Sequence, residues 1–145
     1  MKSFQVILVI FLVALFCSAG SISVAQEEPH IFTVTTLRAA MPEGGSVAER
    51  DSLLAFAFEN GDKRNDKVIS ERNLVHYYTN DSQEWIVIAE YKNWGDIEAA
   101  GKMDEELMKK AIPDEKKRAE FNRKLARYFP THSDRILTER PKLRK

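Results

Sequence analysis

The chain has 145 residues, 43% of them hydrophobic and 30% charged, with 22 basic side chains against 22 acidic ones. So even a balance argues against a dedicated nucleic-acid binder, which would carry a basic face or motif. A single cysteine, Cys17, excludes an intramolecular disulfide.

Residues 1–25 read as a secretory signal. Lys2 supplies the positive charge, Val6 to Cys17 an apolar run of about 12 residues, and Ser23-Val24-Ala25 a small-residue cleavage site before Gln26. A run that short is not expected to span a bilayer. Phe16 ahead of Cys17 is too bulky to resemble the small residue that bacterial lipoprotein signals place there. Cleavage after Ala25 leaves about 120 residues, enough for one domain with one core. The acids are then one ahead of the bases, and the cysteine is gone. The expected product is periplasmic or secreted, free of the membrane after cleavage, and stabilised by packing rather than by disulfides or cysteine-bound metal.

In the mature chain, residues 26–140 form the expected domain and 141–145 a basic tail, read as a solvated end. Ile31 to Ala39 is β-branched and aromatic enough for a first strand. Met41-Pro42-Glu43-Gly44-Gly45 is a loop, and Ser46 with Glu49 makes a capping box that opens a helix ended by Asn60-Gly61. Along that helix Val47, Leu54 and Phe58 form one side, with Leu53 and Ala57 beside them. Gly61 to Lys67 reads as a charged surface connection. Val68 to Thr79 and Glu84 to Lys92 are the next two strands, folded back around Asn80-Asp81-Ser82-Gln83.

Asn93 with Asp96 opens a second helix carrying Ile97, Ala100, Leu107, Met108 and Ala111 at helical spacing. Pro113 interrupts it, and Pro113-Asp114-Glu115 starts a further helical segment closed by Phe129-Pro130. After Thr131-His132-Ser133-Asp134, a last strand is expected over Arg135 to Arg140. The order β-α-β-β-α-β is the ferredoxin-like arrangement, an α+β fold with four antiparallel strands and helices on one face.

The hairpin raises a problem of cover. An even loop would pair Tyr78 with Trp85, His76 with Val87 and Leu74 with Ala89. One face would then carry His76, Tyr78, Trp85 and Tyr91, and the other Val75, Tyr77, Ile86 and Ile88, with Glu90 at its end beside Arg38 or Arg72. Both faces are largely apolar, whereas a sheet covered on one side alternates apolar with polar. A homodimer in which two such sheets pack face to face would supply the missing cover.

The run VISERNLVHYYTNDSQEWIVIAEYKNWGDIEAA, with PDEKKRAEF and THSDRI after it, resembles the dimeric α/β-barrel superfamily, and in particular its secreted bacterial members of unassigned function. The likeness covers about residues 31–139. It implies a ferredoxin-like subunit that dimerises as an α/β barrel. The superfamily includes cofactor-independent oxygenases, haem proteins and cyclases, so the resemblance points to a fold rather than to one reaction. Its haem-binding members are usually ligated by a histidine on or near the second helix; this chain has none in that helix, and His132 follows Pro130.

Few residues could carry chemistry. His76, with Tyr78, Trp85 and Tyr91 on the same expected face, suits a small aromatic or apolar ligand held between two sheets, and His76 could serve as a general base. His132 with Asp134 is a second candidate pair, a carboxylate orienting an imidazole; the plain alternative for these residues is turn chemistry. Trp94 is expected to pack the start of its helix against the sheet. No H-x-x-x-H or H-E-x-x-H spacing and no G-x-S-x-G motif occurs, so neither a metal site, a cofactor nor a serine hydrolase is expected. The first reading is an exported homodimeric binding protein, the second a cofactor-independent oxygenase or cyclase using His76 as base.

Overall fold

A computed structural model describes residues 28–76 and 82–144. The expected signal segment lies outside the described residues, as does the loop stretch that contains Tyr78. Four strands pair antiparallel in the order β2-β3-β1-β4: β1 (Ile31–Arg38), β2 (Ser70–Val75), β3 (Glu84–Tyr91) and β4 (Thr131–Thr138). Three helices, α1 (Val47–Asn60), α2 (Trp94–Ala111) and α3 (Glu115–Tyr128), make the fold the ferredoxin-like α+β arrangement. No helix among the described residues is long and apolar enough to cross a membrane.

Local chemistry explains the helix starts. Ser46 Oγ accepts from the Glu49 N–H at 3.1 Å, Asn93 Oδ1 from Asp96 N–H at 3.2 Å and Asp114 Oδ1 from Lys117 N–H at 3.0 Å, each satisfying a first-turn donor. The expected reciprocal half of the first capping box is replaced. The Ser46 N–H donates to the Tyr128 hydroxyl at 3.0 Å, and that hydroxyl donates to Glu49 Oε2 at 2.5 Å. Tyr128 is 1% exposed, so the end of α3 is fastened to the start of α1 through one buried phenol. Glu49 pushes the phenol's pKa up.

The preceding loop has to make room for that ring. Gly44 takes φ 71°, and Gly45 donates to Pro42 O at 2.9 Å to close the turn. A Cβ on Gly45 would lie 2.7 Å from the Tyr128 hydroxyl oxygen and 2.8 Å from Pro42 Cγ. Gly45→Ala is therefore expected to destabilise the fold by about 1–3 kcal/mol. Urea unfolding checks this, and an unchanged midpoint would contradict it.

Several expectations need correction. Gly61 to Lys67 keeps Lys63, Arg64, Asp66 and Lys67 exposed, but it is not surface throughout: a short 3-10 turn, Asp62–Arg64, is followed by Asn65, 5% exposed. Asn65 Nδ2 donates to Ala100 O at 3.0 Å and to Asp104 Oδ1 at 2.7 Å, tying the turn to α2. β4 starts at Thr131 rather than Arg135, which places His132 and Asp134 inside the strand. Trp94 is 65% exposed, so its expected packing on the sheet does not form. The tail remains exposed, Leu143 at 80%, while it forms a 3-10 turn, Pro141–Leu143, and Arg144 donates to both carboxylate oxygens of Glu139, at 2.7 and 2.5 Å.

The largest correction is the hairpin register. Val75 pairs with Trp85, Leu74 with Ile86 and Asn73 with Val87, so Leu74 sits three positions from its expected partner Ala89. An odd shift turns every side chain of one strand to the other face relative to its partner. The helix side now carries Trp85, Val87, Ala89 and Tyr91 together with Glu71, Asn73 and Val75. Ala89 and Tyr91 are buried there with Ala100, against Ile97 and Val68. At the other end of β3, Trp85 meets Phe129 edge-on at 5.4 Å, and the Arg50 guanidinium lies over its ring at 5.0 Å.

The opposite side of the sheet carries Phe32, Val34, Leu74, Ile86, Ile88 and Leu137. No helix among the described residues packs on it, and Leu74 and Leu137 are 45% and 50% exposed. At one end of this bare side Glu90 takes neither Arg38 nor Arg72 as its partner. His30 Nδ1 lies 2.6 Å from Glu90 Oε1, and Ser70 Oγ donates to Glu90 Oε2 at 2.6 Å. The Ser70 bond first, then the His30 bond, hold the Glu90 carboxyl below its usual range.

Candidate functional site

The register disperses the constellation that the sequence suggested. Trp85 and Tyr91 lie on the helix side, at opposite ends of β3. His76 is exposed one residue beyond β2, where strand alternation carries it to the side of Leu74. Tyr78 is outside the described residues. His132 and Asp134 do meet: Nε2 is 3.4 Å from Oδ2, and Asp134 Oδ1 accepts from Thr35 Oγ1 at 2.6 Å. Both side chains are more than half exposed on the edge strand, and Leu37 stands between His132 and Trp85 in the pairing.

The structure instead opens a cleft on the helix side, between the C-terminal half of α1 and the β2 edge. It has a volume of about 360 Å³ and is lined by Leu54, Ala55, Ala57, Phe58, Asp62 and Asn73. Its origin lies in the sequence of α1. Phe56 meets Phe121 of α3 at 5.3 Å and Phe58 remains 40% exposed, so the helix grips the sheet loosely at this end. Asn73, a small polar residue in a strand, fills less of the gap than a large hydrophobe would.

The electrostatics of this cleft are unusual. Burial first, and then the nearby Glu71 and Asp104 carboxylates, push Asp62 up to about 7. Glu71 and Asp104 are themselves raised by burial, each opposed by one hydrogen bond, from Asn73 Nδ2 at 2.8 Å and from Asn65 Nδ2 at 2.7 Å. Tyr91, whose phenol is raised mainly by burial, backs the group from β3. A carboxyl that is half ionised near neutrality can accept or donate a proton, or pair with a cation.

A larger hollow of about 560 Å³ lies on the outer helix layer among Leu53, Phe56, Ile112 and Phe121. It is away from the sheet, and its rim charges partly pair off, Lys124 with Glu120 at 3.3 Å. The smaller cleft joins apolar walls to a displaced carboxyl, and for that reason it is the better candidate. Among the described residues, no three His, Cys, Asp or Glu side chains converge to hold a metal ion.

Comparison with solved structures identifies the frame. SnoaB from Streptomyces nogalater, a cofactor-independent oxygenase solved as a point mutant, superposes with a TM-score of 0.51 at 14% identity, over 80% of this chain and 98% of that one. The chain has the ferredoxin-like fold. A conserved protein from Methanosarcina mazei Go1 gives 0.48 at 16% identity, covering 79% of this chain and 95% of that chain. A dimeric protein of unknown function and ferredoxin-like fold from Bacteroides fragilis gives 0.46 at 8%, covering 76% and 96%. No family model matches the sequence, and no curated protein matches it either.

Within the ferredoxin-like frame, the cleft uses the turn after the first helix and the edge strand that follows it. Asp62, Glu71 and Asn73 were not among the residues nominated from sequence. Asp62 sits in a run of charge, GDKRNDK, and nothing in that run distinguishes the partly buried carboxylate from its solvated neighbours. The available signal was Asn65, the one uncharged polar side chain in the run and the one the fold buries.

Proposed function

We propose that the protein is an exported homodimer that binds a small, largely apolar molecule in each subunit, in the cleft between α1 and the β2 edge. The cleft carries this reading: four apolar residues, Leu54, Ala55, Ala57 and Phe58, stand with only two polar ones, Asp62 and Asn73, around about 360 Å³. Apolar walls with a few convergent polar groups are the usual make-up of a small-ligand pocket, and displaced carboxyls cluster at such places. Export is supported by the residue pattern of the first 25 positions, and the dimer by the bare apolar side of the sheet.

The register favours a ligand inside the subunit over one between two sheets. Trp85 and Tyr91 face the helices, whereas the side a partner would cover offers Phe32, Val34, Ile86 and Ile88. The alternative, an oxygenase of the kind SnoaB represents with His76 as base, has less support, because His76 is exposed and lies across the sheet from the cleft.

Native mass spectrometry of protein purified from its source tests the proposal. The expected spectrum shows a dimer with a retained small molecule, and the retained mass disappears in Ala57→Met, which narrows the cleft. A monomeric mass at micromolar concentration would count against the assembly, and a ligand kept by Ala57→Met would count against the site.

A further inference from the structure

We propose that the cleft takes a small organic ammonium ion with an apolar body, the cation meeting the Asp62 carboxylate and the body lying against Leu54, Ala57 and Phe58. This rests on the cleft being the ligand site and adds the charge of the ligand.

Asp62 is faced by carboxylates from two other elements, Glu71 on β2 and Asp104 on α2, and by the Tyr91 phenol from β3. On its own turn, Lys63 is held by Glu59 at 2.9 Å, and Lys63 and Arg64 are both exposed. Among the described residues, α1 lines the space with apolar side chains only and no basic residue lines it. A carboxylate, phosphate, phenolate or enolate would bring like charge into partly dehydrated surroundings and is disfavoured. A neutral molecule would leave the carboxylates uncompensated, whereas an ammonium pairs with Asp62 and relieves its repulsion with Glu71 and Asp104.

Asn73 points to the same class. One of its two Nδ2 hydrogens is taken by Glu71 at 2.8 Å, and its amide oxygen offers an acceptor suited to an N–H donor. The volume, about 360 Å³, suits a one-ring or short-chain amine. The same field opposes oxygenase chemistry in this cleft wherever that chemistry runs through a deprotonated, anionic substrate.

Because Asp62 is held at about 7, a bound cation should draw it into the ionised form and release a proton. Purified protein is titrated calorimetrically with phenethylammonium and with its neutral and anionic counterparts, 2-phenylethanol and phenylacetate. At pH 8 the amine is expected to bind about tenfold more tightly than the alcohol, with phenylacetate weakest. By pH 5.5 the preference should approach parity, since Asp62 is then protonated. At pH 7, buffers of different ionisation enthalpy should report roughly half a proton released per amine bound. Asp62→Asn should abolish both the preference and the proton release while retaining the alcohol.

The alcohol or phenylacetate binding as tightly as the amine, with Ala57→Met weakening all three, would overturn the ammonium inference and leave the cleft in place. Affinities untouched by Ala57→Met would overturn the cleft itself. No binding of any probe at millimolar concentration would overturn the inference for amines of this size.

Discussion

Asp62→Asn should make the protein more stable at pH 8, by about 1–2 kcal/mol, and change it little at pH 4. The folded pKa of Asp62 is raised to about 7, whereas the unfolded chain titrates near the ordinary value of 3.8. Between those values the native state holds the proton and the unfolded state does not, so native stability falls as pH rises through this window. Above it the penalty is complete, because folding must keep a carboxylate charged near Glu71 and Asp104. The full shift would correspond to about 4 kcal/mol at 1.36 kcal/mol per unit. Asp62 keeps contact with solvent, and screening reduces that to the smaller figure. Asparagine retains the shape and removes the charge, so the variant should melt roughly 5 °C higher at pH 8.

Glu90 runs the other way: its carboxyl lies below the usual range, so its contribution is present above the unfolded value and is lost only as pH falls through the lower folded one. The Asp62 window runs from about 3.8 to 7 and meets the Glu90 window only at its acid end, so of the two groups urea midpoints at pH 6 and 8 report Asp62. Wild-type stability that rises from pH 6 to 8, in parallel with the variant, would mean that Asp62 ionises as an ordinary surface acid.

Where local chemistry decides the structure, the sequence was legible. Ser46, Asn93 and Asp114 mark the helix starts because a short polar side chain answers a free N–H within its own turn. The element order, and with it the ferredoxin-like sheet, follows from alternating helical and strand periods. The register of the hairpin was not legible, and the reason lies in the same residues that made the hairpin conspicuous. With Val, Ile, Tyr and Trp on both faces, either parity of the loop buries a comparable amount of apolar surface, so the pattern alone does not choose between them. The pairing seen puts Val75 beside Trp85 on the helix side and Leu74 beside Ile86 on the bare side. It leaves Glu71 and Asn73 under α1, next to Asp62. The candidate site therefore depends on a tertiary choice between two locally equivalent registers, and no motif of the chain announces it. His30 was invisible for a related reason: its partner Glu90 lies 60 residues away, brought near only by the pairing of β1 with β3.

Ile88→Asp should separate the proposed dimer, raising its dissociation constant by roughly a thousandfold while leaving the subunit's secondary structure in place. The subunit buries little on its own. Among the described residues the buried apolar side chains are Ala89, Tyr91, Ala100 and Tyr128, all on the helix side or in the helix layer. That is a thin core for a domain of this length. The central strands meanwhile present Val34 and Ile88 as direct partners on the bare side, with Phe32 and Ile86 along the same strands and Leu137 at the edge. A patch of this kind rarely stays in water. A second copy related by a two-fold axis can cover it with its own equivalent, which sets the basic Arg72 and Arg135 of one sheet against a surface that carries Glu84 and Glu90. A carboxylate at the centre of such an interface loses its water without gaining a partner, at a cost of several kcal/mol. Sedimentation velocity should show the wild type as a dimer at micromolar concentration and Ile88→Asp as a monomer, with far-UV circular dichroism confirming that the variant has folded. A folded variant that still sediments as a dimer would place the contact elsewhere. A wild type that remains monomeric at 100 micromolar, a probe concentration roughly 100-fold above that needed for a micromolar dimer, would leave the bare sheet to some other cover and remove the homodimer from the proposal.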